Sequence, residues 1–195
     1  MLTLYHAPQS RSSRFIWLLE EIGAPYEIAY ANIRRRDGSG APDARNPHPD
    51  KKVPALVHDG VLVTESAAIC LYLSDAFPEA KVGPRVGDPL RGPYVTWLAY
   101  YAGVLEPIVV ARASGAAESD PAQARAYAAM TDRLHGALER GPFLLGENFS
   151  TADVLIASAF QWARQLMPSG APFDRYLERI VQRPALQRAL QKDAG

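Results

Sequence analysis

Apolar and polar positions in the first part of the chain switch between the spacing of a strand and the spacing of a helix. Residues 2–5 form a short apolar run, residues 14–22 carry apolar side chains at helical intervals, and residues 26–30 again have a strand-like pattern. Gly23, followed by Ala-Pro, ends the helix. These elements predict a β-α-β unit whose two strands are parallel and joined by a right-handed crossover.

A hairpin and a second helix complete this pattern. Residues 55–58 and 61–63 flank Asp59-Gly60, a two-residue loop that suits a type I′ turn because both central positions need positive φ. Helical spacing resumes over residues 65–76. The order β-α-β, polar connector, hairpin and helix predicts a thioredoxin-like α/β domain over residues 1–78.

Strand patterns disappear after residue 78. Proline and glycine residues between 84 and 93 mark a linker into a long apolar helix from about Tyr94. A further helix begins at Asp120-Pro121, where a capping residue precedes proline, and another begins at Ser150, which forms a variant capping box with Asp153. The second part of the chain is therefore predicted to be an all-helical domain over residues 89–195.

The charge balance and the cysteine count exclude several classes of protein. The 195 residues include 21 Lys and Arg and 21 Asp and Glu, so no net field favours nucleic acid or an anionic membrane. Arg34-Arg35-Arg36 is too short to change that and is interpreted as a solvated loop. No apolar run approaches the roughly 18 to 20 residues that span a bilayer, Cys70 is the single cysteine, and the N-terminal residues do not resemble a secretion signal. We therefore expect a soluble cytoplasmic protein without membrane or nucleic-acid partners.

Hydroxyl side chains are concentrated where the first strand meets the first helix. Ser10, Ser12 and Ser13 lie at the predicted helix N-terminus, where unpaired amides and the helix dipole favour an anion such as a thiolate. The alternative is that these side chains only cap the helix. For Ser12 or Ser13 taken alone, capping is the simpler interpretation.

Two other segments of the first part carry groups that suit a peptide-like ligand. A cis bond at Val53-Pro54 would leave the Val53 backbone free to pair with an extended peptide, although proline is also common at the start of a strand. Glu65 and Ser66 open the next helix and offer a carboxylate, a hydroxyl and helix amides to an amino-acid head group. A plain helix cap is the alternative there. Lys52 is either a partner for a second carboxylate or a solvated loop residue.

Several short motifs stand in order across almost the whole chain. They are Asn46-Pro47, Lys52-Val53-Pro54-Ala55-Leu56-Val57, Asp59-Gly60, Thr64-Glu65-Ser66-Ala67-Ala68-Ile69, Tyr72-Leu73 and, downstream, Phe149-Ser150-Thr151-Ala152-Asp153. Together they resemble the glutathione-site signature and the helical capping motif of the glutathione S-transferase family. Residues 48–52 depart from the family's pattern, which commonly has a shorter connector with a glycine.

The resemblance implies that reduced glutathione binds to the first domain as a co-substrate. By matched position, Val53 next to Pro54 contacts the cysteinyl backbone, Glu65 and Ser66 hold the γ-glutamyl end, and Lys52 lies near the glycyl end. No cluster of histidine, cysteine and carboxylate residues has the spacing of a metal site, so we expect no metal. The resemblance also implies a homodimer.

Two hydroxyls are candidates for activating the glutathione thiol. Ser10 matches the activating position of several related classes by its spacing from Ser13 and Arg14, and it is the first choice. Tyr5 stands near the end of the first strand, where other classes carry an activating tyrosine. A cysteine is absent from position 10, which disfavours mixed-disulfide chemistry on the protein, and Cys70 is interpreted as a buried, inert thiol in a helix.

A second substrate would lie beside the glutathione sulfur. Trp97, Tyr101 and Arg112 of the helical domain are candidates for lining its pocket, with core or dimer-interface roles as the alternative. The leading hypothesis is a glutathione S-transferase that adds the thiolate of glutathione to a small hydrophobic electrophile. The alternatives are a glutathione-binding module of this fold without conjugating activity, and a glutathione-dependent isomerase or disulfide reductase.

Overall fold

The computed structural model describes residues 1–115 and 120–193. The chain divides into two compact units. The first unit contains Met1–Ala80 and the segment that begins at Arg183, and the second, which we call the helical unit, contains Lys81–Gln182. These units differ from the predicted domains, residues 1–78 and 89–195, chiefly because the last helix packs within the first unit.

A four-stranded mixed sheet forms the centre of the first unit. Its strands are β1 (Leu2–His6), β2 (Tyr26–Tyr30), β3 (Ala55–His58) and β4 (Val61–Thr64), in the order β2-β1-β3-β4 across the sheet. β1 pairs parallel with β2 and antiparallel with β3, and β3 pairs antiparallel with β4. The predicted thioredoxin-like arrangement is confirmed.

Local sequence signals explain where the elements of the first unit begin and end. α1 (Ser13–Ile22) ends at Gly23, whose φ of 73° is the left-handed conformation that glycine adopts without strain. The turn between β3 and β4 has φ of 48° at Asp59 and 85° at Gly60, which confirms the predicted hairpin type. α2 spans Ser66–Ala76.

The helical unit is built from α-helices, as predicted. These are α3 (Arg91–Tyr100), a π-helical turn (Tyr101–Leu105), α4 (Glu106–Ala113), α5 (Pro121–Glu139), α6 (Thr151–Trp162) and α7 (Ala171–Val181). Asp120 caps α5 by accepting the N–H of Ala122 at 2.8 Å. Ser150 and Asp153 form the predicted capping box at the start of α6, whose first ten residues are all buried.

One helical run has the length and composition of a membrane span. Among the described residues, α3, the π-helical turn and α4 continue over Arg91–Ala113, a run of 23 residues, which is longer than the sequence pattern suggested. Its buried side, which includes Tyr94, Leu98 and Leu105, packs within the helical unit against α5 and α6. Core helices share this length and composition, so we assign the run to the core of the helical unit.

α8 (Pro184–Asp193) packs on α1 in the first unit, which the sequence pattern did not predict. Glu21 accepts two hydrogen bonds from the guanidinium of Arg183, at 2.6 and 2.8 Å. Glu20 accepts hydrogen bonds from Arg188 and Lys192. An amphipathic pattern shows that a helix has a buried face but does not identify the element that covers it, so the partner of α8 became clear only from the structure.

Replacing Glu20 with glutamine is expected to loosen α8 from α1. Burial alone would raise the pKa of Glu20, but hydrogen bonds from Lys192, Arg188 and Tyr26 outweigh burial and lower the pKa from 4.5 to about 2. The stabilisation is therefore fully present above about pH 4.5 and is lost as the pH falls towards 2. We expect Glu20→Gln to lower the free energy of unfolding at pH 7 by about 1 kcal/mol and to remove this acid dependence.

Urea denaturation at several pH values, with hydrogen exchange of the α8 amides, measures this effect. Glu27→Gln, an exposed carboxylate on β2, is the matched control and should leave both readouts unchanged. Equal stability of Glu20→Gln and the unaltered protein at pH 7 would show that these ion pairs do not hold α8.

Candidate functional site

A cavity of about 660 Å³ opens beside the turn between β1 and α1. Three segments of the first unit form its wall: this turn, the loop after β2 and the connector before β3. The lining residues are Gln9, Ser10, Arg11, Ile33, Arg34, Arg35, Arg36, Pro42, Asp50, Lys51, Lys52 and Val53. Three of the residues predicted from the sequence, Ser10, Lys52 and Val53, therefore lie together at one cavity.

Ser10 lies in a tight turn at the N-terminal end of α1. Its Oγ lies 2.7 Å from the carbonyl oxygen of Ala7 and 2.7 Å from Oγ of Ser12. Its N–H donates to Oγ of Ser13 at 3.3 Å, and its carbonyl oxygen accepts the N–H of Ser13 at 3.1 Å. These contacts hold the Ser10 hydroxyl at the cavity wall, close to the positive end of the α1 dipole.

The Ser12 hydroxyl does not cap α1, which corrects the simpler interpretation of this residue. Ser12 occupies the N-cap position, but its φ and ψ of −75° and −19° are helical and its side chain makes no capping hydrogen bond. A capping side chain normally requires an extended backbone at this position. Instead, the buried Oγ of Ser12 lies 2.8 Å from Nδ1 of His6 and accepts the N–H of Ala7 at 3.1 Å.

His6 and Asp193 lie behind the cavity wall, and the sequence analysis missed both. His6 ends β1 and is fully buried, and its Nε2 lies 3.3 Å from Oδ1 of Asp193 at the end of α8. Burial lowers the pKa of His6 from 6.5, and the nearby Asp193 opposes that effect, so the imidazole is neutral at pH 7. The alternation of Leu2, Leu4 and His6 on the buried face of β1 was the available signal.

Tyr5, the second candidate activator, lies on the other face of β1. Side chains alternate along a strand, and Tyr5 is half-buried between the buried residues Leu4 and His6. Tyr5 is not among the residues that line the cavity, whereas Ser10 is. The geometry therefore favours Ser10 as the activating hydroxyl, and the choice between them stays a prediction.

Polar contacts within the connector hold its lysines at the cavity. The buried Asn46 donates from Nδ2 to the carbonyl oxygen of Lys52 at 2.8 Å. Lys51 donates from Nζ to the carbonyl oxygen of Asn46 at 2.7 Å, and Nζ of Lys52 lies 3.2 Å from Oδ2 of Asp50. The connector thus brings both Lys51 and Lys52 to the cavity wall, and the position of Lys52 near the glycyl end stays a prediction.

The residues predicted to hold the peptide backbone and the γ-glutamyl end lie in two places. The Val53–Pro54 peptide bond is cis, and Val53 lines the cavity. Glu65 occupies the N-cap position of α2 with φ of 66°, and its side chain makes no capping hydrogen bond. Ser66 is the first residue of α2 and therefore does not occupy the N-cap position. The alternative in which this segment is a plain helix cap is not found in the structure. Neither Glu65 nor Ser66 lines the 660 Å³ cavity.

The arginine triplet belongs to the cavity wall, so its interpretation as a solvated loop was incomplete. Arg34, Arg35 and Arg36 are exposed, but all three line the cavity. Nη2 of Arg35 donates to the carbonyl oxygen of Pro8 at 3.0 Å, which ties the triplet to the Ser10 turn. Six lining side chains are cationic and one, Asp50, is a carboxylate. This excess of positive charge favours an anionic ligand.

The residues predicted to line a second-substrate pocket lie in the helical unit. Trp97 and Tyr101 are buried. The guanidinium of Arg133 lies 5.0 Å from the ring centre of Trp97, and that of Arg112 lies 4.0 Å from the ring centre of Tyr127. Their burial favours core packing for Trp97 and Tyr101, and a role of these residues and Arg112 in a substrate pocket stays a prediction.

Metal ligands or a reactive thiol would add to the chemistry available at the cavity. Within residues 1–115 and 120–193, no group of three or more His, Cys, Asp or Glu side chains is placed to hold a metal ion. Cys70 is fully buried in α2, as predicted. A thiolate at the cavity would therefore have to come from a ligand.

Two family models match the chain. The glutathione S-transferase N-terminal domain matches residues 1–75, and the glutathione S-transferase C-terminal domain matches residues 98–184. Among known proteins, glutathione S-transferase GstA of Escherichia coli O157:H7 is 24% identical over 198 residues, which cover 98% of each chain. Disulfide-bond oxidoreductase YfcG of Escherichia coli K12 is 29% identical over 211 residues, which cover 98% of this chain and 95% of that protein.

Solved structures of similar proteins share the fold over almost the full length. A glutathione S-transferase from Actinobacillus pleuropneumoniae has a TM-score of 0.84 and 27% identity, and the match covers 100% of this chain and 94% of that one. A sphingomonad glutathione S-transferase complexed with glutathione has a TM-score of 0.76 and 26% identity, with 98% of each chain covered.

Proposed function

Because the chain belongs to the glutathione S-transferase family, we propose that this glutathione transferase binds reduced glutathione at the cavity beside Ser10 and adds its thiolate to a small hydrophobic electrophile. The observation that carries the proposal is the Ser10 hydroxyl, held at the N-terminus of α1 in a wall with six cationic side chains. A hydroxyl donor, a helix N-terminus and nearby cations are groups that stabilise a thiolate.

The proposed function requires only a modest lowering of the pKa of the glutathione thiol. A free thiol has a pKa of about 8.5 and is only a few per cent ionised at pH 7. Lowering that pKa by about two units requires roughly 2.7 kcal/mol of preferential stabilisation of the thiolate. One charge-assisted hydrogen bond from Ser10 and the dipole of α1 are together of this size.

The cavity and, outside its lining, the start of α2 offer groups for the backbone and carboxylates of glutathione. In this proposal Val53 offers its backbone to the cysteinyl residue, and Lys52 with the neighbouring cations faces the glycyl carboxylate. The first amides of α2, with Glu65 and Ser66, hold the γ-glutamyl group. These assignments follow the matched positions of the family motif. In this proposal the thiol of glutathione lies next to Ser10.

Steady-state conjugation tests the proposed reaction. We expect the purified protein to bind reduced glutathione in calorimetry and to conjugate at least one member of a panel of aryl halides, epoxides and enones. Turnover should saturate with glutathione. Tight binding without turnover of any panel member would instead favour the glutathione-binding module without conjugating activity.

Removing cations from the cavity wall is expected to weaken glutathione binding. The double variant Lys52→Gln, Arg35→Gln should raise the dissociation constant about tenfold at low salt, because screened surface charges of this kind interact by roughly 1 kcal/mol. Titration calorimetry at low and high salt measures the change, which should shrink as salt is added. Arg45→Gln is the matched control, since Arg45 is 82% exposed, pairs with Asp43 and does not line the cavity. If the double variant and the control bind glutathione with equal affinity, the cations of the cavity wall do not contribute to glutathione binding.

Glutathione-dependent disulfide reduction is the second candidate function. The cavity wall has six cationic side chains and one carboxylate, which suits a disulfide substrate that carries carboxylates, and the chain is 29% identical to a disulfide-bond oxidoreductase. The thiolate of bound glutathione would attack a disulfide, forming one S–S bond and releasing the other sulfur as a thiolate. Turnover of a carboxylated disulfide substrate by the unaltered protein, together with inactivity towards the electrophile panel, would favour this function.

Compartment and assembly complete the proposal. We propose a cytoplasmic homodimer, because the single cysteine, Cys70, is buried and needs no oxidising compartment and because the family resemblance implies a dimer. Light scattering of the purified protein measures the assembly, and a monomer at micromolar concentration would refute the dimer.

A further inference from the structure

A continuous chain of polar side chains runs from the cavity into the interior of the first unit. Oγ of Ser10 lies 2.7 Å from Oγ of Ser12, which lies 2.8 Å from Nδ1 of His6. Nε2 of His6 lies 3.3 Å from Oδ1 of Asp193. Ser12 and His6 are both fully buried, so the cavity end of the chain is Ser10.

The proton positions along this chain follow from its inner end. Nε2 of His6 and Oδ1 of Asp193 are buried and make no other hydrogen bond among the described residues, so a proton on Nε2 serves both atoms. A neutral imidazole that is protonated at Nε2 accepts at Nδ1. Ser12 then donates to Nδ1, and the single proton of Ser10 is shared between two acceptors, the carbonyl oxygen of Ala7 and Oγ of Ser12, each at 2.7 Å.

Asp193 is held in place on its other side. Its Oδ2 accepts the N–H of Gln9 at 3.4 Å, so one carboxylate contacts both the Ser10 turn and the imidazole. The ion pairs that dock α8 on α1 set the position of this carboxylate.

We propose that this chain is a proton relay in which His6 receives the proton of the glutathione thiol through Ser10 and Ser12, and Asp193 positions the protonated imidazole. The inference rests on the proposed function, since it supplies the route by which the thiolate forms.

Three proton shifts make up the relay. The S–H bond breaks, its electron pair stays on sulfur, and the thiol proton binds Oγ of Ser10. Ser10 passes its former proton to Ser12, and Ser12 passes its own to Nδ1 of His6. The result is a thiolate that accepts a hydrogen bond from Ser10, and an imidazolium that faces the Asp193 carboxylate. The reverse shifts return the proton to the product or to water.

The surroundings of His6 act on its proton affinity in two opposite directions. Among the residues that the structure describes, the titratable groups that face it are Asp193 from α8 and Tyr30 from β2, whose ring centre lies 5.6 Å from that of the imidazole. Burial lowers the pKa of His6, so the ring is neutral before the transfer, and Asp193 acts in the opposite direction. The carboxylate therefore compensates the charge that arrives with the proton.

The test is a pH titration of thiolate absorbance on protein saturated with glutathione, with calorimetric binding of S-methylglutathione as a check that the site is intact. We expect His6→Gln and Ser12→Ala each to raise the pKa of the bound thiol by about one unit or more, and from a starting pKa of about 6.5 one unit lowers the thiolate fraction at pH 7 by about threefold. Asp193→Asn should raise the pKa of the bound thiol less than His6→Gln and Ser12→Ala do. The dissociation constant of S-methylglutathione should stay within about twofold.

Several comparisons make the test decisive. Gln191→Ala, an exposed neighbour of Asp193 on α8, should leave the thiol pKa unchanged. If His6→Gln fails to fold, Ser12→Ala still tests the relay, because it removes only the Oγ atom that links Ser10 to His6. A raised thiol pKa in Ser10→Ala with unchanged values in His6→Gln and Ser12→Ala would overturn the relay and leave the proposed function standing. Failure of the unaltered protein to bind S-methylglutathione would overturn both.

Discussion

Ser10→Ala is expected to raise the pKa of the bound glutathione thiol by about 1.5 units and to reduce kcat/KM for conjugation at pH 7 by about tenfold, because a charge-assisted hydrogen bond contributes about 2 kcal/mol and the dipole of α1 remains. The Ser10 hydroxyl is the cavity-lining oxygen at the N-terminus of α1, 2.7 Å from the Ser12 hydroxyl. Under the proposed function, its loss removes the charge-assisted hydrogen bond to the thiolate. The glutathione dissociation constant should change little, because the contacts to the peptide backbone and the carboxylates remain.

Two single-atom controls sharpen this result. Tyr5→Phe should leave the thiol pKa unchanged, because Tyr5 lies on the other face of β1 and does not line the cavity. Ser13→Ala, which removes only the acceptor for the Ser10 N–H, should have a small effect. If Tyr5→Phe raised the thiol pKa while Ser10→Ala did not, the activating roles assigned to the two residues would have to be exchanged.

Asp153→Ala is expected to lower the free energy of unfolding of the helical unit by about 3 kcal/mol. Asp153 is fully buried and accepts hydrogen bonds from the N–H of Leu144 at 3.0 Å, the N–H of Ser150 at 2.9 Å and the hydroxyl of Tyr176 at 3.2 Å. Alanine leaves these donors buried without their acceptor, and it removes the capping box of α6. Denaturant unfolding measured by circular dichroism gives the change.

The contribution of Asp153 to the free energy of unfolding is expected to decrease as the pH rises. Burial raises the pKa of Asp153 from 3.8 to about 6, although its hydrogen bonds oppose the rise. The folded state therefore holds the proton more tightly than the unfolded state, and the contribution is fully present below about pH 4 and is lost as the pH rises through 6. Asp153→Asn, which keeps the shape of the side chain, should remove this slope at a smaller cost of about 1 kcal/mol. A destabilisation below about 0.5 kcal/mol in Asp153→Ala would mean that the buried acceptor is dispensable.

Local chemistry made much of the fold predictable. Asp59-Gly60 needs two positive φ values and has them, Gly23 ends α1 in the left-handed conformation, and Ser150 and Asp153 build the capping box that their spacing indicates. Each of these features depends on residues within a few positions of one another. The motif around Val53 and Glu65 identified the family for the same reason, since its residues are close in sequence.

The inner part of the site was not predictable in this way. His6 and Asp193 lie at opposite ends of the chain, and their contact depends on the docking of α8 against α1 through long-range ion pairs. The Ser12 hydroxyl was predicted to cap α1, but it contacts His6 instead because the backbone of Ser12 is helical rather than extended. The arginine triplet became part of the site because the loop after β2 folds back to the Ser10 turn. Only tertiary structure determines such contacts.

The pKa of the thiol in the complex of glutathione with the unaltered protein tests the central claim most directly. Thiolate absorbance of the saturated complex, followed across pH and compared with free glutathione, gives this value. We expect a pKa about two units below the roughly 8.5 of a free thiol, near 6.5. Tight binding of glutathione with a thiol pKa equal to that of the free molecule would contradict the claim that this site supplies a thiolate.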